Sequence, residues 1–100
     1  MPPKAPVPKA PATKAQVKVT IYTTWLCPYC AAARRLLKSK GAQFEEIDAP
    51  RGSPARDEAI EKSGGRQTVP QIFIGDTAVG GYDELRALEE AGRLDPLLAP

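Results

Sequence analysis

The chain has 100 residues, 14 basic against 12 acidic side chains, two cysteines and no histidine. That length allows one small domain, and no stretch approaches the roughly 20 apolar residues of a membrane span. Two cysteines without histidine cannot complete a four-ligand zinc site within one chain, nor a Cys–His nucleophile pair.

Residues 1–16 hold five prolines, three lysines and no large apolar residue beyond Val7. Such a composition cannot offset the entropy of ordering, so it predicts a disordered, extended tail ahead of a domain over residues 17–100. The tail lacks the apolar centre of a secretory signal, and its lack of arginine argues against a mitochondrial transit peptide. Without Lys4, Lys9 and Lys14 the rest carries 11 basic against 12 acidic residues, a net of −1. The positive charge therefore belongs to the tail, and the domain shows no nucleic-acid footprint.

Val17-Lys18-Val19-Thr20-Ile21-Tyr22 is β-branched and alternating, which predicts a strand with Val17, Val19 and Ile21 on its apolar side. A loop over 23–26 then delivers Cys27. Trp25 in that loop is either a wall facing a substrate or a local packing plug. Cys27-Pro28-Tyr29-Cys30 follows. Proline is favoured at the first helical position, so Cys27 becomes the N-cap and Cys30 the third helical residue. An N-cap side chain accepts hydrogen bonds from the next backbone N–H groups, and the helix dipole adds to the preference for an anionic sulfur there. Residues i and i+3 on a helix lie about 5 Å apart at Cα, inside the roughly 4.4–6.8 Å that a disulfide needs. The pair can open and close with little backbone movement. Cys27 is the expected nucleophile and Cys30 its buried partner. A purely structural bridge over four residues would contribute only about 2 kcal/mol, so the motif reads as redox-active. A C-x-x-C without a secretory signal points to the reducing cytoplasm and transient disulfides.

The helix is expected over 28–40, with Ala33, Leu36 and Leu37 inward, joined by Tyr29 and Ala32, and with Gly41 past its end. A second strand is expected over 42–47, with Phe44 and Ile47 buried, making a right-handed parallel βαβ unit with the first. Ser53-Pro54 repeats the cap-then-proline signal and opens a second helix over 54–63. Its apolar residues are few, so it should lie exposed over one face. Gln71–Ile74 and Thr77–Val79 flank Gly75-Asp76 as a hairpin. Asp83 is expected to cap a third helix over 84–91, and Leu94, Leu97 and Leu98 to complete the core in a short turn. The result is an α/β fold of order β-α-β-α-β-β-α, a four-stranded mixed sheet flanked by three main helices. The C-x-x-C helix starts at the carboxyl end of the first strand, where open α/β sheets favour ligand sites.

Cys27-Pro28-Tyr29-Cys30, Thr68-Val69-Pro70-Gln71-Ile72-Phe73-Ile74-Gly75 and Gly80-Gly81-Tyr82-Asp83-Glu84-Leu85 stand at the order and spacing of dithiol glutaredoxins, most closely the bacterial glutaredoxin 3 type. The resemblance covers residues 17–98 and leaves the tail unexplained. It implies a thioredoxin-like fold, a cis Val69–Pro70 bond facing the thiolate, and glutathione as co-substrate with no metal. Val69 would pair through its backbone with the cysteinyl part of glutathione, beside Thr68, Pro70 and Tyr29. The N–H groups at Gly81, Tyr82 and Asp83 would take the γ-glutamyl carboxylate, the Asp83 carboxylate the ammonium group, and Arg66 or Gln67 the glycyl carboxylate. Taken one at a time, Gly80-Gly81 also reads as a turn, Asp83 as a cap and Arg66 as a surface charge. One departure stands out: Thr24 replaces the lysine that many members carry three residues before the first cysteine.

The implied activity is glutathione-dependent thiol–disulfide exchange in a cytoplasmic monomer. Its partners would be glutathionylated or disulfide-containing proteins, with glutathione reductase indirectly behind them and neither nucleic acid nor membrane involved. Two further readings remain: a redoxin fed by thioredoxin reductase, and a dimer sharing an iron–sulfur cluster through Cys27 and bound glutathione.

Overall fold

The computed structural model describes residues 17–99, so the tail expected over 1–16 lies outside the described residues. Eight elements follow in order: β1 (Val19–Thr23), α1 (Pro28–Ser39), β2 (Phe44–Asp48), α2 (Pro54–Lys62), β3 (Gln71–Ile74), β4 (Thr77–Gly80), α3 (Tyr82–Glu90) and α4 (Leu94–Leu98). They build one mixed sheet of order β2-β1-β3-β4. The β1–β2 pair is parallel, and β1–β3 and β3–β4 are antiparallel. This is the expected α/β architecture with one addition, since the foreseen C-terminal turn closes into α4.

Strand alternation divides the core into two. Val19 and Ile21 of β1 and Ile72 and Ile74 of β3 point to one face, where they meet Ala33 and Leu37 of α1, Leu85 of α3 and Leu94 and Leu98 of α4. Tyr22 and Phe73 point to the other face and pack with Ala49 and with Ala59 of α2. Their rings meet edge to face with centroids 5.6 Å apart, a favoured aromatic geometry. All five residues of β1 are therefore buried, whereas alternation alone predicted one covered side. The small apolar face of α2 suffices because Tyr22 and Phe73 supply the bulk beneath it. In α2 both Ala59 and Arg56 are buried, so that helix is less exposed than its composition suggested. Within β2, Phe44 and Ile47 are half-buried, one packed against each core.

Both cap-then-proline signals form as expected. Cys27 caps α1 and Ser53 caps α2, each accepting from the backbone N–H three residues on. Two local expectations are corrected. Tyr29 lies outward, 62% exposed, because the inward stripe of α1 is Cys30, Ala33 and Leu37. The third helix starts at Tyr82, with Gly81 rather than Asp83 as its N-cap. There the N–H of Gly81 donates to Glu84 Oε1 at 2.8 Å, one half of a capping box.

Candidate active site

At the carboxyl end of β1 the chain turns through Thr24, Trp25 and Leu26 and enters α1 at Cys27. The N-cap conformation of Cys27 is extended (φ −112°, ψ 106°), and the Cys30 N–H donates to its Sγ at 3.1 Å. The two sulfurs are not bonded to each other, and they sit in unlike settings. Cys27 is partly exposed, whereas Cys30 is fully buried on the inner side of α1. Burial pushes the Cys30 thiol up to about 12, and the hydrogen bond and charge of Cys27 add to the shift. The Thr24 backbone and Arg34 pull more weakly in the other direction. One sulfur is thus presented to solvent at a helix N-terminus, and the other is kept protonated one turn inside.

Beside this helix end lies a cleft of about 320 Å³. Tyr29, Arg66, Thr68, Val69, Pro70, Gly81, Tyr82 and Asp83 line it, which brings together eight of the nine residues expected at a glutathione site. Tyr29 and Tyr82 face one another across it, centroids 6.4 Å apart and planes tilted by 32°. The Val69–Pro70 bond is cis. Gln67 is not among the lining residues; its side chain is exposed, and its carbonyl accepts from Arg56 Nη1 at 2.9 Å. Thr24, at the position of the missing lysine, lines a different hollow beside Trp25 and Leu26.

Glu84 is a lining residue absent from the expected set. Its Oε1 accepts from the Gly81 N–H and lies 3.3 Å from Arg66 Nη2. The Gly81 N–H, and secondarily Arg66, hold its carboxyl below the usual range. Gly80 permits this approach: it has φ 111°, and a Cβ there would come within 3.0 Å of both Arg66 Nη1 and Glu84 Oε1. The signal for Glu84 was present in the sequence as an acid three residues past a helix cap.

The segment bearing Arg66, Gln67 and Thr68 has no strand partner, yet each of its three carbonyls accepts a side-chain hydrogen bond. Ser63 Oγ reaches the Arg66 oxygen at 3.3 Å, Arg56 Nη1 the Gln67 oxygen, and Gln71 Nε2 the Thr68 oxygen at 2.9 Å. Arg56 also donates through Nε to the Ala49 carbonyl at 2.9 Å, joining the β2–α2 loop to the same segment. Arg56 and Gln71 are buried, at 8% and 1% exposure. Neither was legible as a site residue, since their roles depend on chain brought close only by the fold.

Three comparisons bear on this arrangement. The family model described as Glutaredoxin matches residues 19–79. The chain is 51% identical over 80 residues to Glutaredoxin 3 of Escherichia coli, covering 80% of this chain and 95% of that one. It superposes on the solution structure of a glutaredoxin from Brucella melitensis with a TM-score of 0.73 and 54% identity, covering 87% of this chain and 94% of that one. A buckwheat glutaredoxin superposes at 0.72 with 25% identity, covering 84% and 78%. By the family model over more than half of its length and by relatives of this identity and coverage, the chain belongs to the glutaredoxin family of thiol–disulfide oxidoreductases.

Proposed function

We propose that the protein reduces glutathione mixed disulfides and protein disulfides, with glutathione as the electron donor. The observation that carries this reading is the cleft: a solvent-facing cysteine at a helix N-terminus adjoins a hollow lined by Arg66, the acids Asp83 and Glu84, the start of α3 and the rings of Tyr29 and Tyr82, groups of both charges suited to a small zwitterionic peptide. The buckwheat neighbour is a glutaredoxin–glutathione complex, which supports the same ligand here. Arg66 would face the glycyl carboxylate, and the Val69 backbone would pair with the cysteinyl residue. The free N–H groups of Tyr82 and Asp83 at the start of α3 would receive the γ-glutamyl carboxylate. The Gly81 N–H already serves Glu84, so the Asp83 carboxylate would meet the ligand's ammonium group.

The reaction is a pair of sulfur displacements. The Cys27 thiolate attacks the glutathionyl sulfur of R–S–SG, a Cys27–SG bond forms, and RS⁻ leaves to take up a proton. A second glutathione thiolate attacks the glutathionyl sulfur, yields oxidised glutathione and restores Cys27 as thiolate. For a protein disulfide, Cys30 displaces the partner from Cys27 and forms the Cys27–Cys30 bond, which two glutathiones then reduce. Once Cys27 is covalently capped, its contribution to the raised value of Cys30 disappears. Burial, the larger cause, remains, so capping Cys27 eases deprotonation of Cys30 only in part, and exchange rates follow thiolate availability.

The deciding experiment measures turnover of a small glutathione mixed disulfide with glutathione and glutathione reductase in Cys27→Ser and Cys30→Ser. Activity kept in Cys30→Ser and lost in Cys27→Ser supports the scheme. Failure of both the parent and Cys30→Ser would overturn it and leave thioredoxin reductase as the donor to test.

A further inference from the structure

Between β4 and the helices α3 and α4 lies a groove of about 760 Å³. Val79, Leu88 and Leu97 form its floor, half-buried against the larger core, and Ala78, Ala87 and Ala91 stand exposed along it. Its charges sit at the two ends of α3: Glu84 in the first turn, already paired with Arg66, and Arg93 past the last. The middle is therefore apolar and walled by small residues, the kind of surface that marks an interaction site. The strand beside it is also unprotected. Of the two edge strands, β2 carries Glu45, Glu46 and Asp48, charges of the kind that keep an edge from pairing. The other, β4, carries none, and an uncharged edge is commonly managed by laying other chain over it.

The chain delivers such a cover to this place. Val17, the first described residue, packs on the larger core together with the floor residues Val79, Leu88 and Leu97. A Cβ on Gly75 would lie 3.1 Å from Val17 Cγ1, and the Gly75 N–H donates to the Lys18 carbonyl at 2.7 Å. Gly75 stands two residues before Thr77, which lines the groove. The sixteen residues ahead of Val17 are therefore joined to the fold beside the β3–β4 turn, at one end of the groove.

Length and composition suit the place. Extended at about 3.1 Å per residue, the stretch from Val7 to Gln16 reaches about 31 Å, against about 14 Å for the nine residues of α3. Between its lysines the segment holds Ala5-Pro6-Val7-Pro8 and Ala10-Pro11-Ala12, small apolar runs with no acid among them. Alone they cannot offset the entropy of ordering. Proline presets the extended backbone, however, so docking on a formed groove orders little more. Attachment also gives the segment a high effective concentration, which a second copy in dilute solution lacks. We propose that the proline-rich residues 5–15 lie in this groove as a cover built into the chain, with Val7-Pro8 and Ala10-Pro11-Ala12 against its alanines and leucines and the lysines in solvent. The placement is independent of the glutathione reading.

Lys4, Lys9 and Lys14 each precede an alanine, so trypsin can cut after all three. The test is limited trypsin digestion of the full chain beside the double variant Ala87→Gln, Ala91→Gln. That variant fills the groove with polar bulk, keeps good helix formers on α3 and adds no cleavage site. Cleavage follows the population of the undocked segment, so cuts after Lys9 and Lys14 should be about tenfold slower in the parent. Cuts within residues 17–99 should stay equally slow in both proteins, which shows the variant folded. Equal rates after Lys9 would overturn the proposal. A second measurement uses the parent with p-benzoylphenylalanine in place of Val7: irradiation should attach it within residues 77–97 of the same chain. Attachment elsewhere, no attachment, or a dimer-mass product that fades on dilution would overturn the proposal, the last by assigning the groove to a second copy. If the variant is cut throughout its length, the attachment site decides.

Discussion

At the scale of single residues, the site works by asymmetry between two identical side chains. Cys27 and Cys30 are three positions apart, yet one caps a helix at the surface and the other is fully buried. Burial raises the Cys30 thiol to about 12, so at neutral pH it stays protonated and shielded from solvent. Iodoacetamide applied to the reduced protein near pH 7.5 is therefore expected to add one label, on Cys27. The second label should appear only when urea unfolds the chain, and intact-mass analysis of the two samples checks it. Two fast labels in the native protein would show that Cys30 is reachable. This asymmetry was legible from Cys27-Pro28 alone, because proline at the first helical position fixes which cysteine is the cap. The orientation of Tyr29 was not. Helical spacing allows it on the edge of the inward stripe, and only the packing of Cys30, Ala33 and Leu37 against the sheet decides that it faces out, beside Tyr82.

At the scale of elements, the segment ahead of β3 matters as much as the C-x-x-C helix. It carries Arg66, Thr68, Val69 and Pro70, and its shape depends on side chains from α2 and β3 rather than on a sheet ladder. Arg56 is the most consequential, because its single guanidinium joins the Ala49 and Gln67 carbonyls. Arg56→Met would leave both carbonyls without that donor, at about 1–3 kcal/mol. Thermal unfolding should fall by several degrees, since 1 kcal/mol corresponds to about 4–8 °C in a domain of this size. The KM for glutathione should rise about tenfold, the effect of loosening a contact worth about 1.4 kcal/mol, with kcat changed much less. Arg56→Lys, which can keep one of the two bonds, should fall between. An unchanged KM in a destabilised Arg56→Met would reduce Arg56 to a packing residue. The strands, the crossover and the hairpin were legible because each is a local pattern of β-branched runs and turn residues. Arg56 and Gln71 were not, since a polar residue that serves a distant carbonyl looks like any surface residue until the fold brings the two together. The shift of the α3 cap from Asp83 to Gly81 has a related cause: glycine has no side chain to announce a cap, and Glu84 supplies the acceptor from three residues on.

At the scale of the whole molecule, stability rests on the larger of the two cores, and α4 is the piece that completes it. Leu94 and Leu98 are buried against the strands and helices of that face. Lys40, at the end of α1, reaches Glu89 at 2.7 Å and Asp95 at 3.0 Å, tying α1 to α3 and α4. Apolar burial and this ion triad both hold the C-terminus, and their magnitudes differ. Leu94→Ala should cost about 2–5 kcal/mol, a large part of the 5–15 kcal/mol typical of a domain. Lys40→Met should cost less than about 1 kcal/mol, because Asp95 is mostly solvated and exposed pairs are screened. The pH dependence separates them further. The Glu89 hydrogen bond, followed by that of Asp95, raises Lys40 above its ordinary 10.5. Its contribution is therefore complete below 10.5 and is lost as pH climbs through the raised value. Cys30 acts in the same direction, keeping its proton in the fold while the unfolded chain loses it from about 9 upward. Urea unfolding should thus give a stability that is level from pH 7 to about 9 and falls beyond it. Cys30→Ser should show a shallower fall, the small deficit of Lys40→Met should close near the alkaline end, and the deficit of Leu94→Ala should stay constant throughout. A Lys40→Met deficit as large as that of Leu94→Ala would show that the triad, and not the leucine core, fastens α4.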